Sequence, residues 1–288
     1  MTRKSLDLVA SVGLAALFFL ALPSPALAQG YLGANLRPFA VLAGSAITCT
    51  GPSTVTGDMG ISPNNASSIT GFPVPCTVTG TTHAADATSL AAQGDLTTAF
   101  TTLGPALPCG RDLTGTDLGG LTLTPGVYCF STSAQLTGLL TLNALGDPNA
   151  VWVFQVGSTL TTASGSSVVF INGGNACAVE WRVGSSATLG TTTSFVGNIL
   201  AQASITLNNA ASLAGRALAR TGAVTLIGNN LAAFGTCGAG SGNGGVPPPL
   251  PPVGVPTLPE IAEGTLLAVL LSIGVYLVSR RTRATSVP

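Results

Sequence analysis

The 288-residue chain reads as a mainly β protein, a β-solenoid with one long α-helix packed alongside, and three observations lead there. A Thr-Leu step recurs at Thr122-Leu123, Thr141-Leu142, Thr159-Leu160, Thr188-Leu189, Thr206-Leu207 and Thr225-Leu226, with spacings of 19, 18, 29, 18 and 19. Between these steps, short apolar/polar alternations are separated by Gly, Asn or Ser, as in half-buried strands joined by tight turns. A single segment departs from this pattern and carries a helical period instead.

The elements follow in order. Met1–Asp7 carries Arg3 and Lys4, an apolar run extends from Leu8 to Leu22, and Ala26-Leu27-Ala28 offers small residues for cleavage before Gln29. Residues 1–28 therefore form a secretory signal peptide, and residues 29–237 form the exported domain. Within it, His83–Leu103 is alanine-rich, with Ala92, Leu96, Ala99 or Phe100, and Leu103 on one face. That spacing predicts an amphipathic helix, capped by Thr81 or Thr82, with Asp86 at the positive end of its dipole. Pro105 and Pro108 end it, and its single apolar stripe requires it to lie along the solenoid.

The best-aligned repeats are Thr188–Ile205 (TLGTTTSFVGNILAQASI) and Thr206–Val224 (TLNNAASLAGRALARTGAV). Each suits one solenoid coil of three short strands, such as Ser186–Leu189, Ser194–Gly197 and Asn198–Leu200. Because side chains alternate across a strand, leucine of each Thr-Leu step points inward and threonine outward. The spacing of 29 contains Asn172–Asn175 and Cys177, read as an insertion. A β-sandwich, the competing all-β fold, does not require strands that repeat in register.

After the domain, residues 238–256 (GAGSGNGGVPPPLPPVGVP) form a linker with a flexible glycine half and an extended proline half. Residues 257–288 form a C-terminal tail. Its apolar stretch, residues 261–278, is interrupted by Glu263, Gly264, Ser272 and Gly274, and Arg280, Arg281 and Arg283 follow. Crossing a bilayer takes about 20 apolar residues with a lower limit near 17, so this stretch is a short transmembrane segment. The arginines stay cytoplasmic and leave the domain outside.

Cys49, Cys76, Cys109, Cys129, Cys177 and Cys237 all lie in the exported part, and no two have C-x-x-C spacing. An oxidising compartment favours disulfides over metal binding. Six cysteines permit about 15 connectivities, among which the sequential pairing Cys49–Cys76, Cys109–Cys129, Cys177–Cys237 is the expectation.

Only 20 residues are charged, 10 Lys or Arg and 10 Asp or Glu, which is 7% of the chain. A soluble domain ordinarily has about 25%. The sole lysine is Lys4 and the sole histidine His83. With five Arg against seven acidic residues between 31 and 237, the domain has no cationic cluster to displace counterions, which excludes a nucleic-acid partner. His83 beside Asp86 reads as a helix-start residue. Asp112 and Asp117 are the nearest approach to a carboxylate pair for a solenoid glycoside hydrolase, but they lie in a Gly/Thr-rich turn. Asp58 and Asp147 read as turn residues, and Arg216 and Arg220 as isolated surface charges. Asn65-Ala66-Ser67 fits the N-glycosylation pattern, which the bacterial type of tail makes a poor substrate. No P-loop, H-E-x-x-H or Rossmann glycine pattern occurs, so neither an enzyme nor a cofactor is expected.

Several motifs resemble a known family. They are Phe39-Ala40-Val41-Leu42-Ala43-Gly44, Val55-Thr56-Gly57-Asp58-Met59-Gly60-Ile61-Ser62-Pro63 and Thr79-Gly80-Thr81-Thr82-His83-Ala84-Ala85-Asp86 in the first third of the chain. Asp117-Leu118-Gly119-Gly120, Leu123-Thr124-Pro125-Gly126-Val127-Tyr128, Phe195-Val196-Gly197-Asn198-Ile199-Leu200-Ala201 and Gly215-Arg216-Ala217-Leu218-Ala219 follow. Together they resemble the microbial ice-binding-protein family, whose fold is a discontinuous right-handed β-helix interrupted by a helix. The resemblance spans residues 31–237 and implies adsorption to ice or an ordered water surface through one flat face, without catalysis. Val255-Pro256-Thr257-Leu258, followed by an apolar stretch and a basic end, resembles the IPTL-type bacterial sorting signals, with Val in place of Ile. That resemblance implies a membrane contact through the tail, a sorting or processing protease as partner, and a cell-surface, envelope or secreted location.

Threonine suits an ice-facing lattice because its methyl is apolar, its hydroxyl bonds water and its χ1 is stiff. The candidate ladder is Thr141, Thr159, Thr188, Thr206 and Thr225. A Thr-Ala/Gly-x-Thr/Asn pattern, used by some members on the active face, occurs only at Thr79–Thr82 and Thr98–Thr101, the second inside the expected helix. The alternative function on the same scaffold is a cell-surface adhesin or a glycan- or matrix-binding module.

Overall fold

A computed structural model describes residues 31–233. The expected signal peptide at 1–28, Cys237, the linker at 238–256 and the tail at 257–288 with its segment 261–278 lie outside the described residues. Among the described residues, no helix is long and apolar enough to cross a membrane.

The strands form three sheets of nine, seven and eight strands, and each pairing is parallel. Successive strands along the chain visit the three sheets in turn, except that the coil restarting at Arg111–Asp112 reaches the seven-stranded sheet only by the single bridge Asp117–Gln135 and that Thr82–Ala84 is followed by the helix. The residues expected as strands appear as Ala187–Leu189, Ser194–Val196 and Asn198–Ala201, one in each sheet. At the corner leading into the nine-stranded sheet, Gly197 and Gly215 have φ of 113° and 152°. A Cβ on Gly215 would lie 2.0 Å from the Gly197 carbonyl oxygen, so only glycine lets successive coils stack there.

The stack is discontinuous in sequence. The nine-stranded sheet runs Thr82–Ala84, Asp58–Ile61, Phe39–Ala43, Ala217–Ala219, Asn198–Ala201, Val179–Val183, Trp152–Val156, Gly126–Phe130, Arg111–Asp112. Thus the last coil of the chain docks on the first, with Val41 opposite Ala217 and Leu42 opposite Leu218. Eight strand steps of about 4.8 Å make this sheet roughly 38 Å long. After leaving its end at Ala84, the chain must travel back to restart at Arg111. Helix α1, Ala87–Thr102, covers much of that return, since 16 residues at about 1.5 Å each span roughly 24 Å.

Helix α1 begins later than the sequence pattern implies. Thr82–Ala84 remain in the sheet as its edge strand, so neither Thr81 nor Thr82 caps the helix. Asp86 is the N-cap: its carboxylate accepts from Ser89 N at 2.7 Å, and Ser89 Oγ accepts from Asp86 N at 3.2 Å. The buried stripe of Ala92, Leu96, Ala99, Phe100 and Leu103 packs on Leu42, Leu218, Leu200, Val153 and Val127 of the nine-stranded sheet. This sheet is therefore covered, and its outer side forms a second core. Contacts follow strand order: Gln93 Nε2 donates to the Ala219 carbonyl at 3.3 Å, and Gln155 Nε2 donates to the Gly104 and Leu107 carbonyls at 3.0 and 2.9 Å.

Inside the coils lies the main core, with Leu189, Leu207 and Leu226 in register and an aromatic row of Tyr128, Phe154 and Trp181. Phe154 and Trp181 stack with ring centroids 3.8 Å apart. Two disulfides brace the periphery. Cys49–Cys76 holds the loop of the outermost N-terminal coil, and Cys109–Cys129 pins the end of the return segment to the covered sheet. Cys177 is disulfide-bonded as well.

Candidate functional site

With the covered sheet taken by α1, two sheets remain open to solvent. The seven-stranded one is built mostly from apolar–polar–apolar triplets: Ala134-Gln135-Leu136, Leu160-Thr161-Thr162, Ala187-Thr188-Leu189, Ile205-Thr206-Leu207, Val224-Thr225-Leu226 and Ile47-Thr48-Cys49, completed by Ile69-Thr70. The flanking residues point into the core, and the central one points outward. Parallel register then aligns the central residues as Gln135, Thr161, Thr188, Thr206, Thr225, Thr48 and Thr70. Seven strands make a ladder roughly 29 Å long at about 4.8 Å per step.

The six ladder hydroxyls are free of the protein. None of these threonine side chains makes a hydrogen bond to another described residue, and each is half-buried or exposed. Neighbouring hydroxyls are instead spent on the corners: Ser133 Oγ meets Thr159 Oγ1 at 2.8 Å, and on the opposite side Thr162 Oγ1 meets Thr193 Oγ1 at 2.8 Å. Asn229 Nδ2 donates to the carbonyls of Asn208 and Ala211 at 2.8 and 2.9 Å. The ladder is therefore flanked by bonded turns that hold it flat and leave its own hydroxyls to solvent.

Three of the five candidate threonines share this column and two do not. Thr188, Thr206 and Thr225 stand in consecutive strands. Thr159 lies two residues before the ladder position Thr161, because Leu160 pairs with Ala187 and so sets Thr161 beside Thr188. Thr141 belongs to the eight-stranded sheet, opposite Thr122. The same Thr-Leu step thus serves two faces. Thr48, Thr70, Thr161 and Gln135 are not apparent from the Thr-Leu repeat. Thr48 and Thr70 come from coils that precede the others in sequence but follow them in space. The signal that finds Thr48 is the triplet Ile-Thr-Cys, equivalent to Ile205-Thr206-Leu207. The Thr-x-x-Thr patterns lie off the ladder: Thr98 and Thr101 donate to the Gly94 and Thr97 carbonyls within α1, and Thr79–Thr82 leads into the edge of the covered sheet.

Within the strands, charge is segregated from this face; one carboxylate residue, Asp117, forms a single β-bridge to Gln135 at the end of the ladder. The charged strand residues Asp58, Arg111, Asp112, Glu180 and Arg182 all belong to the covered sheet, and no described strand of the two open sheets contains one. Asp112 accepts from Thr114 N and Oγ1 at 2.8 and 2.6 Å, and these bonds lower its pKa. Burial pushes the Asp117 carboxyl upward, but bonds from Thr137 and Gly119 outweigh it and leave its pKa lowered. Both are ionised, Asp112 at the end of an edge strand and Asp117 in a single bridge to Gln135, and both are unsuited to act as a general acid. His83 Nδ1 lies 2.7 Å from Asp86 Oδ2 at the helix start. Among the described residues, no group of three or more His, Cys, Asp or Glu is placed to hold a metal ion.

Arg216 and Arg220 are not isolated surface charges. Arg216 is buried: its Nη1 donates to Asn198 Oδ1 at 3.0 Å, and its Nε and Nη2 donate to the Arg37 carbonyl at 3.2 and 2.7 Å. Asn198 Nδ2 in turn donates to Glu180 Oε1 at 3.1 Å, so Glu180, Asn198 and Arg216 form a polar row across the covered sheet. Burial pushes the Glu180 pKa up to about 8, against the opposing pull of Asn198 and Arg216. Arg220 and Arg182 both lie over the Phe100 ring, at 4.7 and 4.2 Å from its centroid. Their side chains clamp the helix rather than project from the surface.

Known proteins share this fold. The Ice-binding-like family matches residues 41–232. An ice-binding protein of Nostoc sp. (strain HG1) is 57% identical over 194 residues, covering 67% of this chain and 70% of that one. An ice-binding protein of Flavobacterium frigoris (strain PS1) is 35% identical over 201 residues, 65% of this chain and 71% of the relative. The crystal structure of an ice-binding protein from the Antarctic ascomycete Antarctomyces psychrotrophicus superposes with a TM-score of 0.68 at 40% identity, covering 72% of this chain and all of that one (100%). A solenoid with one open threonine face, a helix sealing another and a family match across nearly all the described residues leave one assignment: the chain belongs to the Ice-binding-like family.

Proposed function

We propose that the protein adsorbs to ice through the ladder of Thr161, Thr188, Thr206, Thr225, Thr48 and Thr70. The observation that carries this reading is a straight column of threonine hydroxyls with no partner among the described residues, on a face with no charged strand residue. Methyl and hydroxyl groups repeating at about 4.8 Å order water without the tightly held shells of ions. We read the coil as right-handed, as nearly all crossover connections between parallel strands are.

The decisive experiment freezes the protein and follows crystal shape and recrystallisation. Shaped crystals and suppressed coarsening are expected at micromolar protein, and ordinary growth would refute the proposal. The double variant Thr188→Lys, Thr206→Lys places two ammonium groups in mid-ladder. It is expected to lose most of this activity with its melting curve unchanged, because both side chains point to solvent.

We further propose that the chain is exported by its signal peptide. The tail with Val255, Pro256, Thr257 and Leu258 would then bring the domain to the envelope through residues 261–278, before or without processing by a sorting protease.

A further inference from the structure

The second open sheet has a regular half of its own. Register places Thr77, Thr54, Asn230, Ser212 and Ser194 in one outward column. Beside it, two residues further along each strand, Thr56, Ala232, Ala214 and Val196 stand in a second column. None of the five polar side chains hydrogen-bonds to another described residue. Outward residues recur at about 4.8 Å between strands and about 6.7 Å along them, so a hydroxyl or amide row runs parallel to a methyl row. The far half of the sheet is different: Leu139, Val169 and Ile171 are 46%, 37% and 42% exposed, and their bulk interrupts any such lattice.

Charge distribution gives this half its meaning. An open sheet face on a soluble domain ordinarily carries Lys and Glu, and here the covered sheet holds every charged residue of the described strands while this open one has none. Neither the fold nor solubility requires that reversal, since these positions face away from the core. The trait is shared with the threonine ladder, which faces another direction.

We infer that the half-sheet centred on Thr54, Asn230 and Ser212 is a second adsorption surface for ordered water, meeting a crystal plane different from the one the ladder meets. The inference rests on the ice-adsorption reading above. It is tested by growing single ice crystals in dilute solutions of the fluorescently labelled full chain and mapping which planes are decorated. The parent chain is expected to decorate two sets of planes. Thr54→Lys with Ser212→Lys should remove one set, and Thr188→Lys with Thr206→Lys the other. The neutral pair Thr54→Gln, Ser212→Gln should act like its lysine counterpart, and a melting curve equal to the parent's shows that folding is intact. If the Thr54/Ser212 variants decorate the same planes as the parent, the second surface is refuted and the ladder stands. The same holds if the ladder variant loses all decoration. If the parent decorates nothing, both readings fall.

Discussion

Glu180 shows how much a single residue can depend on its place in the coil. It lies opposite Asn198 in the covered sheet, with burial holding its carboxyl protonated up to about pH 8. An unfolded glutamate releases its proton near 4.5. Between those values the folded state binds a proton that the unfolded chain has lost, so stability falls as pH rises through the window. It is fully present below about 4.5 and gone above about 8. Glu180→Gln cannot ionise yet keeps an oxygen for Asn198. Melting of the variant should match the parent near pH 4 and exceed it near pH 9 by roughly 5 °C or more, given about 2–4 °C per kcal/mol for a domain of this size. Equal melting at both values would show that the carboxyl ionises without cost. Arg216, four residues from Arg220 in sequence, reads as surface charge because sequence spacing cannot show that Arg37 from the first segment closes over it, 179 residues away.

At the scale of elements, α1 depends on a local cap and on distant partners. Its apolar stripe was legible from spacing alone, whereas its first residue was not, because Thr82–Ala84 gain more by extending a sheet than by starting a helix. The helix has no basic residue in its last turn. The solenoid supplies that charge from Arg182 and Arg220, which also stack on Phe100. Asp86→Ala removes the acceptor for Ser89 N, and caps of this kind contribute about 0.5–2 kcal/mol. A melting point lower by a few degrees, with ice shaping retained, is the expected result. Loss of ice shaping in a folded Asp86→Ala protein would mean that the helix side takes part in adsorption.

For the whole molecule, the described residues separate two kinds of surface: one sheet sealed by a helix and holding the charged strand residues, and two open sheets with none. Three sheets around one tube have one corner opposite each sheet. The chain passes Ala233 at the corner between the eight-stranded and covered sheets, across from the threonine ladder. Fractionation of cells producing the full chain should place it in the envelope or medium, accessible to added protease. Recovery in the cytoplasm alone would refute the export reading.

Several features were readable from the residues in order: the three-strand coil from the 18- and 19-residue spacing, inward leucine and outward threonine from strand alternation, and the helix from its stripe. Thr188, Thr206 and Thr225 fall on one column because equal coil lengths keep equal registers. The longer coils break that equality, with Thr161 and Thr188 27 residues apart in sequence yet adjacent in space. There the dipeptide repeat points to Thr159, while hydrogen-bond register selects Thr161. Which face stays open was also beyond the sequence, since a helix can seal any sheet its stripe fits. The docking of the last coil on the first, through Val41 and Ala217, was the furthest out of reach. A chain read in order carries local periodicity, because neighbouring residues share one backbone geometry. Only packing determines which distant coils meet, and that meeting adds Thr48 and Thr70 to the ladder.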